Sequence, residues 1–221
     1  MPDDFRLPLM RSLPKGELLV PRPLILASGS PRRAELMTAA GYRFSVMLPA
    51  DGAEDQPQPG ETAATVVERL AYQKAADVAS QLSGSFLLRD ALVIAADTLG
   101  ALGRVLLGKP VDAEDARRML RLLCGQPHQV FTGVCLWDIA SGRHFIQSVV
   151  TELEMKTIDD AVIEDHIESL RWQGKAGGFG FQDGNDWLKI ISGSESNVVG
   201  LPMERLAEMI VDFDKFSRPI E

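Results

Sequence analysis

Residues 23–33 read PLILASGSPRR. The apolar run before Ser28 is the length of a buried strand. Ser30 followed by Pro31 is a helix N-cap with a proline at the first helical position, so the spacing predicts a helix to about Ala40, stopped by Gly41. A buried strand thus feeds a helix through a short turn. Arg43 to Leu48 reads as a second short strand, and residues 49–61 (PADGAEDQPQPGE) as a loop. A long amphipathic helix is predicted over about Thr62 to Leu82. Leu92 to Ala96 reads as a strongly apolar strand ending at Asp97-Thr98, with a hairpin through Gly100–Gly103 returning as Val105–Leu107. Asp112 to Cys124 is predicted as a helix stopped by Gly125. Gln129 to Ile139 and Phe145 to Met155 form a hairpin about Ser141-Gly142. A helix over about Asp159 to Leu170, a glycine-rich segment over 174–184, a strand at Trp187–Ile191 and a last helix begun by Pro202 complete the chain. Strands and helices mix without strict βα alternation. The expectation is therefore a mixed α/β fold, a twisted mixed sheet with helices packed on it. Residues 1–21, broken by prolines, read as an extended or mobile arm, 22–215 as one domain and 216–221 as a tail.

The chain has 221 residues, 23 Lys+Arg against 31 Asp+Glu, and a formal charge of −8. That balance disfavours a general nucleic-acid binder. It is unevenly spread: residues 1–45 are net +3, whereas residues 151–170 are net −6. The acidic run reads as a solvated helix face, which leaves room for a locally basic pocket. Cys124 and Cys135 stand in no Cys-x-x-Cys spacing, which predicts two reduced, buried thiols and a cytoplasmic protein. No window approaches a membrane span, and the N-terminus lacks the apolar stretch of a signal peptide.

Several residues point to chemistry. A helix N-terminus favours anions, and cations there are disfavoured unless an anion neutralises them. Arg32 and Arg33 in the first helical turn, after the hydroxyl-bearing turn of Ser28 and Ser30, therefore suggest a bound phosphate; solvated arginines are the alternative. Lys74 falls in the apolar stripe of its helix, four residues from Leu70 and from Val78, and either snorkels out or is aimed into a pocket. Asp97 at the end of an apolar strand is a common place for catalysis or metal binding, and equally for a turn cap. Asp51, Glu54 or Asp55 could supply a second carboxylate for a divalent cation on a polyphosphate. Gly103 to Lys109 has the G-x-x-x-x-G-K spacing of a phosphate loop, but Pro110 replaces the hydroxyl that would hold magnesium, so that reading is rejected. No histidine lies beside a plausible nucleophile, which disfavours a triad hydrolase.

An ordered set of motifs then accumulates: Leu26 to Arg33, Arg69-Leu-Ala with Lys74-Ala75, Ala96-Asp-Thr98, Gly108-Lys-Pro110, His128 to Gly133, Gly174 to Gln182 and Asn197 to Pro202. Together they resemble the Maf family of nucleoside triphosphate pyrophosphatases over roughly residues 24–211. The resemblance implies a two-lobed fold like that of inosine triphosphate pyrophosphatases, with a cleft between the lobes. It implies hydrolysis of a nucleoside triphosphate to the monophosphate and pyrophosphate, a divalent cation (Mg²⁺ or Mn²⁺), and homodimers, which are common in the family. Asp97 matches the proton acceptor. Arg32, Thr98 and Gln182 match positions linked to choice of base, and Thr98 with Gln182 points to the dTTP/UTP branch rather than to 7-methyl-GTP. Ser28, Arg33, Lys74, Lys109 and Lys175 match phosphate- or pocket-lining positions, and Ser30 of the same turn is taken as a further substrate-binding candidate. Lys74 and Lys109 are expected to neutralise the leaving group, and Asp97 with Glu54 to hold the metal, Asp55 being second choice to Glu54. The loop after the second strand is one residue longer than the family pattern, and Gly178 and Phe179 stand where Ala and Tyr are frequent. A nucleotide-sensing regulator of cell division is the reading from a different class.

Overall fold

Strand β1 (Leu24–Ala27) is buried along its whole length and leads through Ser28–Ser30 into helix α1 (Pro31–Ala39). The computed structural model describes residues 22–53 and 55–217. The expected arm over 1–21, the proposed metal ligand Glu54 and residues 218–221 of the expected tail lie outside the described residues. Strand β2 (Ser45–Val46) keeps only the centre of the predicted run. Helix α2 (Ala63–Leu82) is capped by Thr62, whose hydroxyl accepts from the Thr65 amide. Helix α3 (Ala113–Leu123) is capped by Asp112 in the same way.

The predicted strand at Leu92 does not stop at Asp97. Strand β3 runs from Leu92 to Leu102, and the turn to β4 (Val105–Leu107) falls at Gly103-Arg104. Pairing explains the extension. Strand β5 (Pro127–Asp138) runs antiparallel along β3 from Leu92↔Asp138 to Ala101↔Gln129, and this ladder carries β3 past its polar pair. Strands β6 (His144–Met155) and β7 (Leu188–Ser192) continue the sheet antiparallel. The sheet order is β2-β1-β3-β5-β6-β7 with β4 on β3, and the β2-β1-β3 part is parallel. The mixed sheet expected from the sequence is therefore present.

The register also opens the cleft. One edge of β3 is covered by β5. The other is covered by β1 as far as Ala27↔Ala95, and by β4 only from Gly100 onward. Residues 96–99 are left uncovered on that edge, between a half carrying β1 and β2 and a half carrying β4. Side chains alternate across a strand. Ile25, Ala27, Val93 and Ala95 pack with Ala71, Ala75 and Val78 of α2 on one face. Leu24, Leu26, Ile94 and Ala96 pack on the other face with α1 and with α6 (Met203–Ser217). Helices α3 and α4 (Asp160–Glu168) cover a third cluster with Trp172 and Trp187 at the far end of the strands. Helix α6 extends two residues into the stretch that reads from sequence as a tail. A short helix α5 (Glu195–Val199) adds to the predicted elements. Of the two free cysteines, Cys135 is buried as expected, but Cys124 is only half-buried, at the C-cap of α3.

Gly133 of β5 lies opposite Asp97 in the register. A Cβ there would meet the backbone of α2, 2.3 Å from the Val67 carbonyl oxygen and 2.7 Å from the Glu68 amide nitrogen. Only glycine lets the helix lie this close to the sheet. Glu68 then accepts from the amide and hydroxyl of Ser148 on the next strand (3.0 and 2.7 Å), which fixes the helix in place.

Candidate active-site cleft

The cleft over the gap in β3 has a volume of about 660 Å³. Among the described residues its lining carries five cations, Arg32, Arg33, Lys74, Lys109 and Lys175, against two carboxylates, Asp51 and Asp97. Ser28, Ser30, Thr98 and Gln182 line it too. Of the candidate site residues that are described, all but Asp55 therefore reach one cleft. No residue of the acidic run 152–168 lines it, so the locally basic pocket is as expected.

Strand alternation splits Asp97 and Thr98 between the two faces. Asp97 looks toward α2, where Lys74 occupies the buried stripe. Lys74 does not snorkel: its side chain is 7% exposed, and its Nζ donates to Asp97 Oδ1 at 2.5 Å and to the Ala96 carbonyl at 3.3 Å. Asp97 Oδ2 accepts no hydrogen bond from the described residues and is left for a ligand or a water.

Thr98 looks toward α1. The buried Arg33 guanidinium donates to the Gly200 carbonyl (2.7 Å), Ser28 Oγ (3.1 Å) and Thr98 Oγ1 (3.1 Å). Thr132 Oγ1 donates its single proton to the Asn197 carbonyl (3.0 Å), so Thr98 is the donor in the Thr98–Thr132 contact of 3.0 Å. The chain runs Arg33 to Thr98 to Thr132 to Asn197 and ties α1, β3, β5 and α5 together. Arg33 lines the cleft as well but is turned inward: three of its five N–H groups are met by Gly200, Ser28 and Thr98, two of these 65 and 167 residues away. Arg32 stays at the surface of the cleft and donates to the Gly174 carbonyl at 2.9 Å, bridging to the glycine-rich wall. Thr132 and Asn197 are not among the residues the sequence singles out. Both sit inside quoted motifs, and a polar residue within an otherwise apolar stretch is the signal that marks them.

The loop carboxylates separate. Asp55 turns away from the cleft, accepting from Gln73 Nε2 at 2.5 Å, and Asp51 is the described loop carboxylate that lines the cleft. The loop is tied to α2 by Arg69, whose Nε and Nη2 donate to Glu61 at 2.8 and 2.7 Å. That bidentate pair holds the Glu61 carboxyl down at about 2 from an ordinary 4.5. Because the folded value lies below the unfolded one, the stabilisation is complete above pH 4.5 and is lost as pH falls toward 2. The melting-temperature gap between wild type and Glu61→Gln at pH 7 is therefore expected to close over that window, as thermal melts would show.

The glycine-rich segment forms two short 3₁₀ turns, Ala176–Gly178 and Phe181–Asp183. It is joined to β4 by the Gly177 amide, which donates to the Gly108 carbonyl at 3.0 Å and so sets Lys109 at the rim. His166 Nε2 bonds the Gly178 carbonyl at 2.9 Å from below. Burial pushes His166 below its ordinary value, so it is neutral at pH 7 and donates there.

A mixed α/β sheet with a cation-lined cleft at its open strand edge, and a lysine–aspartate pair on the cleft floor, defines a protein built to hold a small polyanion against a carboxylate. The chain belongs to the Maf family: the family described as Maf-like protein matches residues 23–213. It is 51% identical over 217 residues to a dTTP/UTP pyrophosphatase of Rhodopirellula baltica, covering 96% of this chain and 93% of that one. It is 40% identical over 191 residues to a dTTP/UTP pyrophosphatase of Pelotomaculum thermopropionicum, covering 86% and 96%. Among solved structures it is similar to a HAM1 protein from Coxiella burnetii at a TM-score of 0.48 and 16% identity, over 86% of this chain and 99% of that one. Among the described residues, no helix is long and apolar enough to cross a membrane.

Proposed function

We propose that this chain hydrolyses dTTP and UTP to the nucleoside monophosphate and pyrophosphate. The observation that carries the reading is the Lys74–Asp97 pair on the floor of a cleft lined by cations. The names of the two relatives supply the substrate.

Arg32, Lys109 and the free amides of the first turn of α1 bind the phosphates. Arg33 holds the Ser28 turn and Thr98 from below, leaving the Ser28 hydroxyl proton free for a phosphate oxygen. Asp97 Oδ2 orients the attacking water and takes its proton, while Lys74 fixes the carboxylate through Oδ1. Lys74 and Lys109 lie where negative charge grows on the departing pyrophosphate.

A divalent cation fits these residues. Asp97 keeps one oxygen without a partner among the described residues, Asp51 adds a second hard donor, and Mg²⁺ or Mn²⁺ needs only one or two carboxylates when phosphate and water complete the shell. Asp97 and Asp51 would hold it, with Glu54 included on its sequence position alone. A cation held there would supply neutralisation of phosphate charge and a more acidic water. Cytoplasmic location and a homodimer belong to the same proposal.

A nucleotide panel with Mg²⁺, quantifying pyrophosphate, tests the reading. Turnover is expected with dTTP and UTP, and its loss on adding EDTA with little change in melting temperature. Preference for 7-methyl-GTP or ITP would overturn the choice of base. Stoichiometric binding without pyrophosphate release would overturn the enzyme in favour of a nucleotide sensor.

A further inference from the structure

The wall of the cleft formed by residues 173–182 has a different chemistry from the wall formed by α1. The Lys175 side chain is 12% exposed, and its Nζ donates to Asp183 Oδ2 at 2.5 Å. Its charge is thereby matched inside the protein. Gln182 stands beside it, and its amide makes no hydrogen bond with the described residues. Gly180 leaves the space in which they meet. A Cβ there would sit 2.7 Å from Asp183 Oδ2, 2.8 Å from Lys175 Nζ and 2.9 Å from Gln182 Nε2. Phe179 lines the same wall, packed edge-on against His128. A neutralised lysine, an amide and an aromatic ring are weak ligands for a triphosphate and suitable ones for the polar edge of a heterocycle.

We infer that Asp183 is a specificity-positioning residue: it fixes the Lys175 ammonium beside the Gln182 amide, so that this wall presents a donor that a carbonyl-bearing pyrimidine accepts and an amino-bearing one does not. The inference rests on the nucleotide reading above. Uracil and thymine carry a carbonyl on each side of the ring N–H, whereas cytosine carries an amine in place of one of them. Glutamine can turn its amide to suit either base, but an ammonium donates only. Discrimination therefore falls to Lys175, and Lys175 is held by Asp183. Asp183 is not among the residues lining the cleft and acts through its neighbour. Burial pushes Lys175 below its ordinary value, Asp183 opposes that, and Arg32 and Arg171 add to it. His166, the remaining titratable neighbour, is itself neutral. Without the carboxylate, nothing on this wall offsets the cost of a buried ammonium.

The experiment compares UTP and CTP in the full chain, in Asp183→Asn and Asp183→Glu, and in Gly180→Ala. Asp183→Asn is expected to raise the KM for UTP about tenfold, the worth of one charge-assisted hydrogen bond, with a smaller fall in kcat. The UTP-over-CTP ratio of kcat/KM is expected to drop by a similar factor, and the KM for UTP to rise newly at alkaline pH as Lys175 loses its proton. Asp183→Glu restores part of the ratio. Gly180 has an extended φ of −128°, which any residue adopts, so Gly180→Ala keeps the fold while pushing the three side-chain ends apart, and it reproduces the lost discrimination. An unchanged ratio in both Asp183→Asn and Gly180→Ala overturns the inference. So does a wild-type chain that takes CTP as readily as UTP, or an equal loss on both nucleotides with an unaltered pH profile, which marks a purely structural residue. If the wild type turns over neither nucleotide, the pyrophosphatase reading fails separately. The ratio of UTP to CTP binding in the same variants, measured by calorimetry, then decides on Asp183.

Discussion

Asp97→Asn is expected to lower the turnover of UTP about a thousandfold, the middle of the range for removing a general base. The amide is nearly isosteric and can still accept from Lys74 Nζ, so the local shape survives. What it lacks is a basic oxygen at the position of Oδ2, which has no partner among the described residues. The change also removes one of the two carboxylates proposed to hold the divalent cation, so the Mg²⁺ concentration needed for half-maximal activity is expected to rise while kcat collapses. Stability falls as well, because an ammonium only 7% exposed exchanges a carboxylate acceptor for a neutral amide. Kinetics with UTP beside a thermal melt separates the two effects. Near wild-type turnover would remove Asp97 from the chemistry.

Gly133→Ala is expected to damage the fold and the site together. The added carbon would lie 2.3 Å from the Val67 carbonyl oxygen, a backbone atom that no side-chain rotation can move. Helix α2 must retreat from the sheet, and Lys74 lies two turns further along that helix, on the face that contacts β3. Asp97, opposite Gly133 in the register, then loses its partner. Overpacking of this kind costs about 3 kcal/mol, or a melting temperature lower by roughly 10 °C in a chain of this length. A variant with unchanged melting temperature and turnover would show that the close approach of α2 does not set the site.

How much of this is legible in the sequence differs from place to place. The strand–turn–helix at 23–41, the helix at 62–82 and the hairpin across 129–155 each carry a clear period and a clear stop, and all three stand to within two residues at their ends. The end of β3 is misplaced by sequence because Asp97, Thr98 and Gly100 look like a strand terminus. The long ladder with β5 outweighs those local signals, and no local pattern announces a partner about thirty residues away. Naming the cleft residues is within reach of the motifs. Dividing the work among them is not. Arg32 and Arg33 are adjacent and alike in sequence and both line the cleft, yet one reaches across it to Gly174 and the other is buried against Gly200, Ser28 and Thr98. Asp183 is silent in the sequence because a carboxylate within a glycine-rich stretch has no period to mark it; only the fold shows that it meets Lys175.

The most direct measurement of the central claim is a product determination by phosphorus NMR of UTP incubated with Mg²⁺ and the full-length chain, run beside Asp97→Asn. The expected result is UMP and pyrophosphate in equal amounts, with product formation all but abolished in the variant. UDP with inorganic phosphate, no product from the wild type, or undiminished UMP and pyrophosphate from Asp97→Asn would contradict it.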